Sequence, residues 1–248
     1  MLLIPGWGIG MLEISLFMLT SFSIKHFFTS LQNLNNILYY WLCMTVLTGI
    51  WESTYISTYN DIVSDAQGLI VNNTHVWTTC YDISYVLPWK LSHIFYAEYG
   101  AWADREYMSL TDDWSHVIEG SHAVFCAIFA LFGLLSDLKI STNKSMLIIG
   151  MSMSFQLMNS LLYMVEYSIQ CNSNNSVNYY NNTEFPLGVM MSGRPFMYVN
   201  VFWLLLPTYI LFYEICNVKQ YNINEDEEAT KDDIKVINNP PYYEHSET

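Results

Sequence analysis

The chain has 248 residues, of which 52% are hydrophobic and only 13% charged, against roughly 25% charged in soluble domains. Its formal net charge of −14 argues against nucleic acid as a partner, because phosphate neutralisation needs basic surface. The acids cluster: residues 60–113 hold eight against Lys90 and Arg105, and the tail from Tyr221 holds eight against Lys231 and Lys235, which leaves the rest nearly neutral.

Five apolar blocks follow one another along the chain, each of about the 20 residues that a bilayer's hydrocarbon core requires. The first, residues 4–24, has no basic segment before it and contains Glu13, so it reads as a retained helix and not as a cleaved signal. The others cover residues 37–59, 114–135, 146–169 and 195–216. The expectation is an all-α, polytopic membrane protein with five transmembrane helices. Residues 1–36 form an N-terminal helix with a short connection, 37–218 a four-helix membrane domain, and 219–248 an acidic disordered tail. Residues 60–113 read as a long loop. Residues 172–182, NSNNSVNYYNN, read as a flexible low-complexity loop.

An odd number of spans puts the termini on opposite sides. With the C-terminus cytoplasmic, Lys25, Lys139, Lys144 and Lys219 lie inside, and Lys90, Arg105 and Arg194 lie outside, in keeping with the positive-inside rule. The glycosylation sequons at Asn72, Asn174 and Asn181 then face the lumen, with Asn143 alone on the other side. Cys80 and Cys171 both fall in lumenal loops, where a disulfide between them is one option and two separate thiols the other. Cys43, Cys126 and Cys216 lie in helices and read as small buried hydrophobes. Near the C-terminus Pro240, Pro241, Tyr242 and Tyr243 spell P-P-x-Y, a string that a WW domain can read as a polyproline ligand and that also arises by chance.

Within the apolar blocks the polar residues are informative, because a carboxylate at the centre of a membrane span costs on the order of 2.5–3.5 kcal/mol. Glu52, Glu119, Glu166 and Asn200 occur one to a block, from the second to the fifth. Helical spacing places Thr48 and Tyr55 beside Glu52, His116 and His122 beside Glu119, Tyr163 beside Glu166, and Trp203 beside Asn200, with Pro207 a turn further on. Four such stripes turned inward predict a cavity lined by acids and aromatics. Each acid alone has the alternative of reaching the headgroups from near a helix end; three in the same lumenal half, joined by Asn200, point to a site. Glu13 and Glu214 carry less weight, the first on a peripheral helix and the second at a helix end. The H-x-x-E-x-x-H of His116, Glu119 and His122 lacks the spacing of the zinc motif H-E-x-x-H, and no metal or other cofactor is expected.

Four segments carry a resemblance. AEYGAWADREY at residues 97–107 resembles W-K-E-Y-x-K-x-D-x-R-Y, matching at Glu98, Tyr99, Asp104 and Tyr107 with a spacing that differs by one and Arg105 displaced. Val117, Ile118 and Glu119 resemble an apolar-apolar-Glu helix opening, and LLYMVE at 161–166 is similar to L-Y-F-L-x-E. Asn200, Trp203 and Pro207 reproduce N-x-x-W-x-x-x-P. Together they resemble the emopamil-binding family of sterol Δ8–Δ7 isomerases, whose EXPERA-type core has four membrane helices. The resemblance implies residence in the endoplasmic reticulum membrane and a sterol or cationic amphiphile as ligand. One position departs: the family's second helix carries H-x-x-x-E-G, and here Thr48 stands at the histidine and Ser53 at the glycine, beside the retained Glu52.

Moving a ring double bond from C8=C9 to C7=C8 needs a proton at C9, a transient tertiary carbocation, and loss of a proton from C7. A neutral carboxyl can donate and an ionised one accept. The resemblance assigns that pair to Glu52 and Glu119, with Asn200 orienting a carboxyl and Trp203 stabilising the cation by its ring face, on the order of 1–2 kcal/mol. Asp104 and Tyr107 would organise the segment that leads into the third helix. Glu166, Tyr55, His122 and Thr48 would border the substrate, with His122 placed to replace the missing histidine. The alternative implied by Thr48 is a non-catalytic binder, similar to the emopamil-binding-like and sigma-2-like members.

Overall fold

The computed structural model describes residues 2–109, 114–137, 142–179 and 198–215. The tail with Pro240, Pro241 and Tyr243, the sequon at Asn181, and Arg194 and Cys216 lie outside them. The chain is mostly helical. Helix α1 (Gly6–Phe27) is followed by the single turn α2 (Thr29–Gln32), then α3 (Asn36–Ser57), whose start is capped by the Asn35 side chain accepting from Ile37 N at 2.7 Å. A π-helical turn, Trp114–Glu119, runs into α6 (Gly120–Asp137), and α7 (Thr142–Cys171) and α8 (Val199–Tyr209) complete the framework, the last extended by a wide turn at Ile210–Ile215.

Residues 60–113 correct the expectation of a loop. They contain α4 (Tyr59–Asn72) and α5 (Pro88–Trp102), which pack against each other. Helix α4 ends where Asn73 adopts the left-handed conformation at φ 49°, which asparagine tolerates, and α5 begins with Pro88, whose missing N–H costs nothing in a first turn. Neither helix shows a long apolar run, because α5 interleaves Ser92, His93 and Glu98 with Leu91, Ile94, Tyr96 and Ala97. Even so α5 is the most deeply buried helix: every residue from Tyr96 to Trp102 is buried.

A second departure from the all-α expectation is small. Strand β1 (Leu3–Pro5) pairs antiparallel with β2 (Cys80–Asp82), Ile4 opposite Tyr81. Two donors of the first turn of α1 are satisfied from the same segment, Gly6 N by Thr79 O at 2.9 Å and Trp7 N by Trp77 O at 3.2 Å. A Cβ at Gly6 would stand 2.2 Å from Val76 O, so only glycine permits this approach. Residues 172–179 also depart from expectation, since Asn178 is fully buried and bonded and the segment is held against the fold. Cys80 and Cys171 are not joined: the first is exposed on β2 and the second is buried in the tyrosine cluster.

Helices α3, α6, α7 and α8 pack in sequence, each on the next, and α5 covers one end of α3. The α3–α6 contact is tight, with Gly49 against Ala127. Hydroxyls join α7 to α6: Ser145 donates to Gly133 O and Ser152 to Cys126 O, both at 2.8 Å. Polar groups thus point inward while apolar ones point out. On α1 the buried stripe includes Glu13, Ser21 and Lys25, whereas Trp7, Met11, Ile14 and Phe22 are exposed. On α7 Ser152, Gln156 and Ser160 are buried, and Leu147, Met158, Val165 and Ile169 are exposed. Among the described residues, Gly6–Phe27, His116–Ser136 and Lys144–Cys171 are long and apolar enough to cross a membrane. They are compatible with a membrane protein. Helix α3 has the length but carries Thr45, Thr48, Glu52, Ser53 and Thr54, and Val199–Tyr213 is apolar but shorter.

A methyl group at Gly49 would lie 2.2 Å from the Ala127 Cβ. Gly49→Ala is therefore expected to lower stability by about 1–3 kcal/mol in thermal unfolding of the detergent-solubilised protein. Adding Ala127→Gly should restore most of that loss; no restoration would mean that the two helices do not meet here.

Candidate functional site

Glu52 lies in the last third of α3, where burial of its carboxyl is enforced by α5 on one side and α6 on the other. Its Oε1 accepts from the Tyr96 hydroxyl, and its Oε2 is buried without a hydrogen-bond partner. Glu119 closes the π-helical turn before α6. Tyr107 lines the same cavity, and the Oε2 of Glu119 is likewise buried and unpartnered. The two carboxyls approach because Gly120 has no side chain: a Cβ there would meet Ile56 at 2.9 Å and Glu52 Oε2 at 3.5 Å.

Both acids face one cavity of about 240 Å³. Its wall includes Met44, Thr48 and Trp51 from α3, Phe95, Tyr96 and Tyr99 from α5, His122 and Cys126 from α6, Gln156, Asn159, Ser160 and Tyr163 from α7, and Asn200 and Trp203 from α8, with Tyr107 between. Of the residues expected from the sequence, the structure brings Glu52, Glu119, Asn200, Trp203, Tyr107, His122 and Thr48 together there. Trp203 packs against Trp41, their rings tilted by 52° with centroids 4.6 Å apart, and the Trp41 indole is held by Gln156 Oε1 at 2.8 Å. The Thr48 hydroxyl donates to Met44 O in its own helix at 2.9 Å. His122 has the Cys126 thiol at 3.7 Å and the edge of Phe155 beyond it. Its companion His116 stacks on Tyr59 at 3.8 Å, away from the cavity.

Three expected residues stand behind the wall. Tyr55 is fully buried, stacked on Tyr96 at 4.7 Å, and donates to Tyr107 O at 3.2 Å. Glu166 is half-buried and accepts from Gln170 at 3.4 Å. Asp104 is buried and tied down: it caps the turn Arg105–Met108 by accepting from Glu106 N at 2.9 Å, and it accepts from Tyr163 at 2.6 Å and Asn178 at 2.7 Å. Asn200 is tied into a chain of hydrogen bonds. Its amide donates to the Tyr99 hydroxyl at 3.0 Å, Tyr99 meets Tyr163 at 2.7 Å, and Tyr163 donates to Asp104. Because the Tyr163 hydrogen goes to Asp104, the direction of the chain is fixed from Asn200 through both tyrosines to the carboxylate.

Phe95, Tyr96, Trp51, Gln156 and Asn159 join the wall without having been marked out by the sequence, and Tyr99, noted there only as a match in residues 97–107, joins it too. A signal exists for two groups: Gln156, Asn159, Ser160 and Tyr163 fall three or four apart on α7, and so do Tyr96 and Tyr99 on α5. Glu13, set aside as peripheral, is buried too. It accepts from the Trp51 indole at 3.2 Å, with Oε2 unpartnered, so Trp51 has a carboxyl behind it and the cavity in front.

No protein-family model, curated protein or solved structure matches the chain.

Asp104→Ala leaves the Tyr163 and Asn178 donors without their acceptor. The expected cost is about 3 kcal/mol or more in thermal unfolding. Glu166→Ala, at a half-buried site outside the cavity, should stay within about 0.5 kcal/mol of wild type; equal effects would remove the distinction between them.

Proposed function

We propose that the chain is a five-span protein of the endoplasmic reticulum membrane, N-terminus lumenal and C-terminus cytoplasmic, that holds a sterol in this cavity and shifts its ring double bond from Δ8 to Δ7. The outward apolar and inward polar faces of α1 and α7 support the membrane placement, since lipid cannot satisfy polar groups and a neighbouring helix can. Helix α3 reaches 22 residues, Thr45, Thr48 and Glu52 face the cavity, and Ser53 and Thr54 donate to carbonyls of their own helix, so composition alone understates it as a span. The resemblance to the emopamil-binding family of sterol isomerases supports the chemistry, and with it the EXPERA-like core of four helices.

One observation carries the reading: Glu52 and Glu119, from two different helices, face a single aromatic-walled cavity, each with a buried carboxyl oxygen that lacks a partner. An unpaired buried oxygen costs about 1–3 kcal/mol, which a site recovers by acting on a ligand. In the proposed reaction one of these carboxyls protonates C9, the positive charge develops at C8, and the other removes the proton from C7, so that atoms and charge balance within the substrate and the pair. The faces of Trp203, Trp51 and Tyr96 surround that charge. Asn200 acts through Tyr99, whose ring it holds in the wall. A volume of 240 Å³ is below the roughly 300–1,000 Å³ of drug-sized pockets, so the reacting rings would occupy the cavity and the remainder of the sterol the gap between α3 and α8. Those two helices meet at the Trp41–Trp203 contact and do not pack closely along their length.

The Thr48 hydroxyl, spent on the Met44 carbonyl, favours a second reading in which the same cavity binds sterols or cationic amphiphiles without turning them over. Expression in cells that lack their own Δ8–Δ7 isomerase separates the two. Restored Δ7 sterol is expected for wild type, falling at least about 100-fold in Glu52→Gln and in Glu119→Gln. Saturable binding with no conversion leaves the binder alone, and neither conversion nor binding removes both.

A further inference from the structure

On the far side of α3 from the cavity, α1, α3 and α6 enclose a second groove of about 390 Å³. Phe17, Val46, Ile50 and Leu131 represent its lining, which is apolar except at one end, where Ser21, Tyr39 and Cys43 stand. Lys25 lies beside that end. Its ammonium is over the Tyr39 ring at 5.2 Å, and the Tyr39 hydroxyl is anchored on Ser21 O at 2.7 Å.

The side chain of Lys25 is unusual in its company. It is only 9% exposed, yet both of its acceptors are neutral: Leu34 O and Asn36 Oδ1, each at 2.7 Å. Neither ion pair among the described residues involves it. Buried cations are ordinarily matched by an anion, and an ammonium has a third N–H to give. A greasy groove beside which a lysine stands with no anionic partner among the described residues has the complementarity of a molecule with an acyl chain and an anionic head.

We infer that this groove binds one anionic phospholipid, with an acyl chain against α1, α3 and α6 and the headgroup phosphate on Lys25. The inference rests on the proposed membrane placement and is independent of the sterol chemistry. In the proposed orientation Lys25 faces the cytoplasmic leaflet, where anionic lipids are concentrated.

The test uses the full chain purified from membranes into a nonionic detergent. Bound lipid is counted by native mass spectrometry and the melting temperature is followed with added phosphatidylserine or phosphatidylcholine. One phosphatidylserine per chain is expected, bound about tenfold more tightly than phosphatidylcholine and raising the melting temperature. Lys25→Met should abolish the preference and Lys25→Arg should keep it. Leu131→Trp is 44% exposed and remote from the ammonium, so it should fold whatever becomes of the Lys25 variants, and it should displace lipid of either headgroup. A preference that survives Lys25→Met, or full occupancy in Leu131→Trp, overturns the assignment. So does stabilisation by glycerophosphoserine, which has the anion but no chains. Tenfold tighter phosphatidylserine binding once Glu225, Asp226, Glu227 and Glu228 are changed to amides would assign the charge to the acidic tail instead. Recovery of the protein without detergent in the soluble fraction would sink the membrane placement itself, a result distinct from any loss of headgroup preference.

Discussion

The arrangement depends on keeping two carboxyls on one cavity inside a helical bundle, each with a buried oxygen. Close helix contact and a phenolic hydroxyl meet the cost in part: Gly120 lets the backbone before α6 approach Ile56 and Glu52, and the Tyr96 hydroxyl donates to Glu52. Neither acid is fully satisfied. A structure built only for stability would place leucine at either position, since replacing buried ionisable groups with packed apolar ones is often neutral or stabilising. The open valences therefore have their meaning in what the cavity accepts.

The tyrosines are the device by which polar function is accommodated without water. Tyr55, Tyr96, Tyr99, Tyr107 and Tyr163 lie in one buried cluster, with Tyr96 stacked on Tyr55 and Tyr99 edge-on to Tyr107 at 4.7 Å. Each ring fills space as an apolar side chain does, and each hydroxyl is aimed at a defined acceptor. The chain of bonds from Asn200 through Tyr99 and Tyr163 reaches Asp104, which in turn fixes the turn Arg105–Met108 and Asn178. A residue of α8 in the cavity wall is thereby connected to the segments joining α5 to α6 and following α7.

Much of this was legible from residue order, and the limits have physical causes. The long apolar blocks coincide with α1, α3, α6 and α7, because a hydrophobic run of that length has few other uses. The polar stripes anticipated the company of Glu52, Glu119, Asn200 and Trp203, because helical spacing fixes which side chains share a face. What escaped was α5. Its buried surface is made of aromatics and small residues mixed with Ser92, Glu98 and His93, so no apolar run announces it, and its acids are paid for by partners distant in sequence: Glu98 by His75 at 2.8 Å and Val76 N at 2.9 Å. Asn178 escaped for the same reason. In a run of asparagines nothing local distinguishes the one whose amide meets Asp104.

The proposed chemistry turns on proton traffic between C9 and C7 of a sterol. With Thr48 committed to the Met44 carbonyl, the helix that carries Glu52 offers no second titratable group to the cavity at that point. Helix α6 does: His122 stands one turn beyond Glu119 on the same wall, and its ring is poised against the Cys126 thiol and not bonded into a carboxylate. The proton store that the resembling family keeps beside the first acid would here lie beside the second. In the proposed reaction that exchange would alter which carboxyl is reset after each turnover while leaving the pair and the aromatic wall in place. The cavity's geometry is held in part by Gly120 and Tyr96, neither of which depends on the side chain at position 48.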